Sequence, residues 1–227
     1  MDRYSLIESK LQREMLLLQG LGCRWKGCSF CDYHHDVSQD PYQMNASVLE
    51  RVCGKYGVLD IINSGSAMEL DTHSIEHIKD VVRERKIHTL WFEAHYMYRH
   101  RLSEFARMFS PAEVKFRCGV ETFDGQLRKS WNKGINEDVT AKDVAQYFQG
   151  VCLLCCVEGQ TKEQIMDDLA KAEEHFEYYS VNLFCNNTTP MRRDHALARW
   201  FETEVYPMLA DNPKVEVLLN NTDLGVG

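Results

Sequence analysis

Three cysteines lie close together in one short, glycine-flanked segment near the N-terminus. The segment (residues 22–31) reads GCRWKGCSFC, so four residues separate Cys23 from Cys28 and two separate Cys28 from Cys31. Cysteine thiolates are the usual ligands of iron–sulfur clusters. A four-iron cluster held by three thiolates leaves one iron with an open coordination position, which chemistry at a metal requires. The spacing therefore predicts a reactive cluster with Cys23, Cys28 and Cys31 as its ligands.

A structural zinc site is the competing interpretation of these thiols. Structural zinc takes four ligands, and His34 or His35, just downstream, can supply the fourth. The function would then be that of a non-catalytic zinc or iron–sulfur binding protein. Other cysteines are expected to be small buried apolar residues, namely Cys53, Cys118, Cys156 and Cys185.

Short apolar runs alternate with amphipathic segments along the whole chain. The runs are rich in β-branched and aromatic residues, which predicts buried strands. They are residues 15–21, 58–63, 87–92, 114–120, 151–157, 178–184 and 215–219. Helix start signals stand between them: a capping box at residues 161–164, a similar pattern at Thr140 and Asp143, and a cap at Asp71 or Thr72.

Strand–helix alternation of this kind implies right-handed crossovers and a mostly parallel sheet. Seven strands in 227 residues fall short of the roughly 250 residues of a closed eight-unit barrel. We therefore predict an α/β fold: a partial (β/α)6 barrel, with an open parallel sheet, helices outside and an extra C-terminal strand. Residues 1–227 are predicted to form a single domain, with ligands at the carboxyl ends of the strands.

The cysteine segment, with the aromatic Phe30 just before its last cysteine, resembles the radical S-adenosylmethionine (SAM) superfamily. The commoner spacing there is three residues and then two, so this chain carries one additional residue. Further motifs follow in matching order along almost the whole chain: Asn-Ser-Gly-Ser at residues 63–66, Gly-Val-Glu-Thr at 119–122, Asn-Lys-Gly at 132–134 and Glu-Gly-Gln-Thr at 158–161. The second and third are similar to motifs of the Elongator-type branch. The last takes the place of a Gly-x-Pro-Gly-x-Thr turn, without its prolines.

This resemblance implies a single radical SAM domain with a [4Fe–4S] cluster, whose open iron is chelated by the amino and carboxylate groups of SAM. The reduced cluster would cleave SAM, and the 5′-deoxyadenosyl radical would take a hydrogen atom from the substrate. A reductant such as flavodoxin or ferredoxin is the implied protein partner. The candidate cofactor-binding residues are Phe30, Ser64, Gly65, Ser66, Glu121 and Asn182. Glu121 is a candidate acceptor for the ribose or the amino group, and a strand-end salt bridge is its alternative role.

Two stretches near strand ends combine carboxylates, histidines and aromatic rings: DYHHD at residues 32–36 and WFEAHYMYR at residues 91–99. A carboxylate accepts two N–H bonds from a guanine-like edge, so these groups suit a planar, nitrogen-rich heterocycle. The candidate substrate-binding residues are Tyr33, His34, His35, Glu93, His95, Tyr96 and Asn220, and the candidate catalytic residues are Glu93 and Glu121.

The short chain, with its single cysteine cluster, favours a small-molecule substrate. Among small members of the superfamily, it looks most like those that cleave the C–N bond of the deazapurine base queuine. That reaction releases 7-aminomethyl-7-deazaguanine. The alternative functions with the same cofactors are a step of 7-deazaguanine biosynthesis and the modification of tRNA.

The charge balance bears on the partners. There are 34 acidic and 26 basic residues, a net charge of −8. Proteins that bind nucleic acids usually carry a basic face, because counterion release supplies much of their affinity, so a nucleic acid partner is disfavoured. No apolar run approaches the roughly 18 residues of a membrane-spanning helix, and the N-terminus lacks signal-peptide features. We expect a cytoplasmic enzyme with a deazapurine base as substrate and no membrane partner.

Overall fold

The computed structural model describes residues 2–227, which group into two compact units. The first unit comprises residues 2–26, Tyr33–Phe116 and Leu224–Gly227. The second comprises Gly27–Asp32 and Arg117–Asp223. Both units consist of strands that alternate with helices.

The first unit contains four strands: β1 (Tyr4–Ile7), β2 (Arg13–Leu18), β3 (Val58–Asn63) and β4 (Thr89–Glu93). β1 pairs antiparallel with β2, whereas β2, β3 and β4 pair in parallel. Its helices are α1 (Tyr42–Leu49), α2 (Thr72–Glu84) and α3 (Leu102–Arg107). Because the strands β2 to β4 are parallel, the loops that follow them leave the same edge of the sheet.

The second unit begins within β5 (Glu113–Glu121), which enters it at Arg117. The strands β6 (Gly150–Cys155), β7 (Tyr178–Leu183) and β8 (Val215–Leu218) follow, and all neighbouring pairs are parallel. Its helices are α4 (Gly125–Ser130), α5 (Ala141–Ala145), α6 (Lys162–His175), α7 (His195–Trp200) and α8 (Tyr206–Leu209), with a π-helical segment, Phe201–Val205, between the last two. Within residues 2–227, no helix has the length and apolar character needed to cross a membrane.

Three helices begin at the capping residues that the sequence predicts. Asp71 accepts a hydrogen bond from the backbone N–H of Ser74 at the start of α2. Thr140 and Thr161 each form a capping box, at α5 and α6. One face of α6 is buried, formed by Ile165, Leu169 and Ala172, and Phe176 directly after the helix is buried as well. Side-chain caps satisfy backbone N–H groups that have no partner inside the helix, which explains why they mark these starts.

Each of the seven predicted strands is present, and residues 58–63 have the predicted bounds. The α/β class, the parallel strands with intervening helices and the extra C-terminal strand are confirmed. The antiparallel β1 is an addition to the predicted parallel sheet. Three of its four residues are only half-buried, so this strand lacks the apolar run that identified the others. It is held in place partly by the chain's end, where Val226 packs with Ile7 and Met15.

Within residues 2–227, none of the nine cysteines forms a disulfide bond. Cys118 and Cys156 are buried as predicted, but the prediction is wrong for Cys53, which is exposed, and for Cys185, which is half-buried. The backbone N–H of Cys53 donates a 2.8 Å hydrogen bond to the carboxylate of Glu14. This bond fixes the backbone of the Cys53 loop, although the residue itself is exposed.

Candidate active site

The segment of the second unit that carries Cys28 is fixed by the Asn-Lys-Gly motif and the residue before it. The backbone N–H of Ser29 donates to the carbonyl of Trp131 at 3.0 Å. The side-chain amide of Asn132 donates to the carbonyl of Gly27 at 2.7 Å. This motif therefore shapes the cysteine segment itself, a role that its sequence position did not reveal.

The loop after β7 holds the other end of the same segment, around Cys31. The side-chain amide of Asn187 donates to the carbonyl of Phe30 at 2.7 Å. The backbone N–H and the hydroxyl of Thr188 both donate to the carboxylate of Asp32, at 3.0 Å and 2.9 Å. Both neighbours of Cys31 are therefore anchored by the loop after β7.

The thiols of Cys28 and Cys31 pack against an apolar cluster of the second unit. Its buried members are Phe30, Trp131, Leu154, Val157 and Phe184, and Cys28 and Cys31 contact it. The rings of Phe30 and Trp131 meet edge to face, with centroids 5.9 Å apart. An apolar surrounding excludes water and lowers the local dielectric constant, and both effects suit a redox-active cluster.

Glu121 and Lys133 form a buried ion pair in the second unit. The ammonium of Lys133 donates to Oε1 of Glu121 at 2.8 Å, and the two side chains are 10% and 11% exposed. Glu121 follows a β-bulge, because the register of β5 against β6 shifts between Gly119 and Glu121. Its backbone has φ 68°, a left-handed conformation that is uncommon for residues other than glycine. Bulges and strained backbone of this kind are concentrated at sites where a side chain has to be re-aimed.

The charge of Lys133 is maintained by its neighbours. Burial lowers the pKa of Lys133, but the charges of Glu121 and of the Cys28 thiol raise it, and the net direction is upward. The ammonium also lies 5.5 Å from the centroid of the Phe30 ring. A permanent cation is therefore placed among Glu121, Phe30 and Cys28. Lys133 lies within the Asn-Lys-Gly motif, but it was not among the predicted site residues.

In the first unit, Glu69 holds both sides of the turn that carries Cys23 (residues 21–24). Its backbone carbonyl accepts a hydrogen bond from the N–H of Leu21 at 3.3 Å, and its carboxylate accepts one from the N–H of Arg24 at 2.9 Å. The thiol of Cys23 accepts a hydrogen bond from the N–H of Lys26 at 3.3 Å. Glu69 therefore fixes the turn on both sides of Cys23.

The same carboxylate binds the glycine loop (residues 63–66) that follows β3. It accepts hydrogen bonds from the N–H of Ser66 at 2.7 Å and from the hydroxyl of Tyr98 at 2.8 Å. A β-carbon at Gly65 would clash with Oε2 of Glu69 and lie 3.0 Å from the carbonyl of Gly22, so a larger residue here would displace the Glu69 carboxylate. Burial and the bond to Glu69 raise the pKa of Tyr98 to about 12, which keeps its hydroxyl a donor. We refer to these contacts of Glu69 as the Glu69 clamp; no sequence motif predicted them.

The end of β4 brings several predicted substrate residues to the same edge of the first unit. Glu93 is the last residue of the strand and is half-buried. The ring of His95 stacks on that of Trp25, with centroids 6.0 Å apart and an interplanar angle of 18°. The N–H of His95 donates to the hydroxyl of Ser66 at 3.0 Å, which ties this stretch to the glycine loop. Tyr96 begins the 3₁₀ segment Tyr96–Arg101.

The predicted substrate residues after the cysteines form the 3₁₀ turn Tyr33–His35 of the first unit. Tyr33 is 57% exposed, and the rings of His34 and His35 lie 4.3 Å apart. The hydroxyl of Ser64 donates to the carbonyl of Asp36 at 2.6 Å, which connects this turn to the glycine loop.

Two buried side-chain oxygens have no hydrogen-bond partner within residues 2–227: Oδ1 of Asn63 at the end of β3, and Oδ1 of Asn182 on β7. Buried polar atoms are nearly always bonded, so each is suited to receive an N–H group of a ligand. Asn182 is a predicted cofactor residue, whereas Asn63 was not singled out. By contrast, Asn220 is exposed, and its N–H donates to Asp223 at 2.9 Å within a turn.

The ligand chemistry separates the two metal interpretations. Within residues 2–227, no three His, Cys, Asp or Glu side chains form a group that could hold a single metal ion, which is the arrangement that a zinc site requires. A four-iron cluster makes a different demand, because each thiolate binds its own iron. Three half-buried thiols that form no disulfide, on anchored loops, fit that demand.

Comparison with known proteins gives the family. No family model matches the chain, and neither does any curated protein. Among solved structures, the chain is similar to the queuine lyase from Clostridium spiroforme bound to SAM and queuine. The two share 39% sequence identity with a TM-score of 0.95, over 100% of this chain and 99% of that one.

This chain belongs to the queuine lyase family.

Two other solved structures share the fold of this queuine lyase family member. The chain matches Streptococcus suis SuiB bound to SAM with 15% identity and a TM-score of 0.57, over 89% of this chain and 49% of that one. It matches methylornithine synthase (PylB) with 15% identity and a TM-score of 0.62, over 95% of this chain and 64% of that one. At that identity the likeness concerns the fold alone. Membership of the queuine lyase family confirms the resemblance inferred from the cysteine segment and confirms that the chain is an enzyme.

Proposed function

We propose that this chain is a radical SAM lyase that cleaves the C–N bond of queuine and releases 7-aminomethyl-7-deazaguanine. The observation that carries the proposal is the 39% identity, end to end, with a queuine lyase bound to SAM and queuine. Because one relative matches the whole chain, residues 1–227 are best regarded as one radical SAM domain.

Cys23, Cys28 and Cys31 are assigned as the ligands of a [4Fe–4S] cluster. When bound, the cluster and SAM supply the radical that takes a hydrogen atom from the substrate. The chain positions the ligands: the Glu69 clamp holds Cys23, and the anchored segment Gly27–Asp32 holds the other two. The apolar cluster around Phe30 keeps water away. Positioning and exclusion of water are what a protein contributes to cofactor chemistry.

The residues assigned to SAM provide complementary groups for its parts. Lys133 offers an ammonium to a carboxylate, and Oδ1 of Asn182 offers an acceptor to an amino group. The glycine loop, with Ser64, Gly65 and Ser66, presents backbone groups, and Phe30 presents a ring to the adenine. Oε2 of Glu121 is assigned to a ribose hydroxyl or the amino group.

The residues assigned to queuine suit a guanine-like base with a protonated secondary amine. Glu93 is the candidate acceptor for that amine and, with Glu121, the candidate catalytic carboxylate. His95 and Tyr96 follow Glu93 in the same stretch. The turn Tyr33–His35 adds aromatic and imidazole rings, and Asn220 is kept as a candidate substrate-binding residue. A one-electron reductant such as flavodoxin or ferredoxin would serve the cluster. Because thiolate ligands need reducing conditions, we assign the enzyme to the cytoplasm.

Anaerobic purification followed by iron and sulfide analysis tests the cluster. The dithionite-reduced protein should then convert SAM to 5′-deoxyadenosine, faster with queuine than with guanine or 7-aminomethyl-7-deazaguanine. Mass spectrometry should detect 7-aminomethyl-7-deazaguanine released from queuine. One zinc per chain with no iron chromophore would refute the cluster. SAM cleavage without any preference for queuine would refute the substrate.

A further inference from the structure

Exposed cations surround the turn that carries Cys23. Arg24 and Lys26 are exposed beside that cysteine, and Arg101 is exposed at the end of the 3₁₀ segment after β4. The guanidinium of Arg101 lies 5.8 Å from the centroid of the Tyr98 ring. Burial raises the pKa of Tyr98, and the nearby guanidinium of Arg24 opposes that rise. We call Arg24, Lys26 and Arg101 the cationic rim.

Carboxylates do not neutralise the cationic rim. None of its members makes an ion pair with any residue in 2–227, whereas other cations of the same unit do. Those pairs are Arg51 with Asp2, Lys55 with Glu8, Lys79 with Glu76 and Arg83 with Asp80. The carboxylate of Glu69 contacts Arg24 N–H, Ser66 N–H and the Tyr98 hydroxyl, and its single negative charge offsets only part of the rim's three positive charges. The rim is therefore a local positive surface on a chain of net charge −8.

The rim also borders an open groove with exposed apolar groups. The groove has a volume of about 420 Å³ and is lined by residues that include Cys23, Arg24, Lys26 and Leu21. Leu21 is 52% exposed, and Met97, in the same 3₁₀ segment as Arg101, is 39% exposed. Apolar contacts bordered by charged groups are the usual composition of a transient protein interface.

We propose that the cationic rim is the docking surface for an acidic protein that donates single electrons to the cluster. The inference rests on the proposed function, because it requires the cluster. Cys23 lies in the groove itself, so a partner seated there would be within a short path of a cluster ligand. The donor loses one electron and the [4Fe–4S]²⁺ cluster gains it, becoming [4Fe–4S]⁺. Since like charges repel, an acidic partner needs a local positive surface on an acidic enzyme, and complementary charge also speeds its approach.

The double variant Lys26→Glu/Arg101→Glu tests the rim. Formation of 5′-deoxyadenosine is measured with reduced flavodoxin as the donor and, in parallel, with dithionite, which needs no docking. The matched control is Arg85→Glu/Arg107→Glu, which changes the net charge equally. These arginines close α2 and α3, where the chain turns back toward the start of the next strand, at the opposite edge from the cysteine loop.

We expect the ratio of the flavodoxin-driven rate to the dithionite-driven rate to fall at least about tenfold in the rim variant, through a raised KM for flavodoxin. The control should keep the wild-type ratio, and salt should lower the flavodoxin rate more in wild type than in the rim variant. An unchanged ratio in the rim variant overturns the docking surface. A rim variant that loses tRNA binding while keeping its ratio would assign the rim to a nucleic acid and also overturn the proposal. Failure of the dithionite reaction in wild type would instead refute the proposed function.

Discussion

The backbone N–H of Arg24 donates a 2.9 Å hydrogen bond to the carboxylate of Glu69, 45 positions away in the chain. The carbonyl of Glu69 accepts the N–H of Leu21, so one residue fixes the turn around Cys23 from both sides. Ser66 N–H shares the same carboxylate, which joins the cysteine turn to the glycine loop. The cysteine turn, assigned to the cluster, and the glycine loop, assigned to SAM, therefore both depend on the carboxylate of Glu69.

Glu69→Gln should weaken cluster binding. Glutamine offers one acceptor oxygen and an NH₂ group, so the N–H of Arg24 or of Ser66 would face a donor. Loss of a residue that orients a metal ligand typically costs about tenfold to a hundredfold in metal affinity or activity. Iron and sulfide content, and the change in the EPR spectrum of the reduced cluster on adding SAM, measure the effect. Tyr98→Phe removes a side-chain hydroxyl only and should keep its iron; a Glu69→Gln protein with full iron and an unaltered spectrum would refute the clamp.

Cys28→Ala should abolish the cluster and all SAM cleavage but preserve the fold. The thiol contributes an iron ligand and contacts only the border of the apolar cluster around Phe30. Iron analysis and a thermal melt of the apoprotein separate the two effects. Cys53→Ala is the matched control, because that thiol is exposed and lies outside the cysteine segment. Full turnover by Cys28→Ala would contradict the ligand assignment.

Lys133→Met should destabilise the apoprotein, because it leaves the Glu121 carboxylate buried without its partner. Breaking a buried ion pair from one side typically costs about 3–5 kcal/mol. The double variant Glu121→Gln/Lys133→Met removes both charges and should recover most of this stability in urea unfolding. It should still bind SAM poorly, because the cation assigned to the SAM carboxylate is gone. Wild-type SAM affinity in the double variant would show that the pair serves the fold alone.

Asp168→Asn should stabilise the protein at neutral pH. Asp168 lies buried on α6 and accepts a 2.6 Å hydrogen bond from the N–H of Phe123. Burial raises its pKa from 3.8 to about 6, against the opposing hydrogen bonds from Phe123 and Thr122. The folded protein thus holds the proton more tightly than the unfolded chain does. Its contribution to stability is complete below pH 3.8 and is lost as the pH rises through 6, a difference of about 3 kcal/mol.

Asparagine keeps an oxygen for Phe123 N–H but carries no charge. The variant should therefore gain about 1–3 kcal/mol at pH 7 and lose this advantage near pH 4. Urea unfolding of both proteins at several pH values provides the measurement. If the two stability curves stay parallel across this range, the pKa of Asp168 is the same in the folded and the unfolded protein, and the prediction is wrong.

Features that depend on nearby residues could be predicted from the sequence. Each of these features depends on a few consecutive residues: the thiol spacing, the buried strand runs, and the caps at Asp71, Thr140 and Thr161. The strand β1 escaped because its short, half-exposed run gives no such pattern.

Long-range relationships could not be predicted. The Glu69 clamp uses backbone N–H groups, which every residue except proline carries. The residue types at positions 21, 24 and 66 therefore do not indicate that these contacts form. The pairing of Glu121 with Lys133 depends on a bulge in β5, and a shift of one residue reverses which face a side chain occupies. Each of the two residues lies in a recognised sequence motif, but the motifs did not predict that the two side chains are in contact.

The anchoring of the segment Gly27–Asp32 bears on how the enzyme matures. In a zinc finger, the metal supplies the free energy that shapes its own ligand loop, and the empty peptide is unfolded. Here main-chain and amide contacts within the second unit hold the loop around Cys28 and Cys31. We therefore expect the polypeptide to fold this loop before a cluster is inserted, in contrast to a zinc finger.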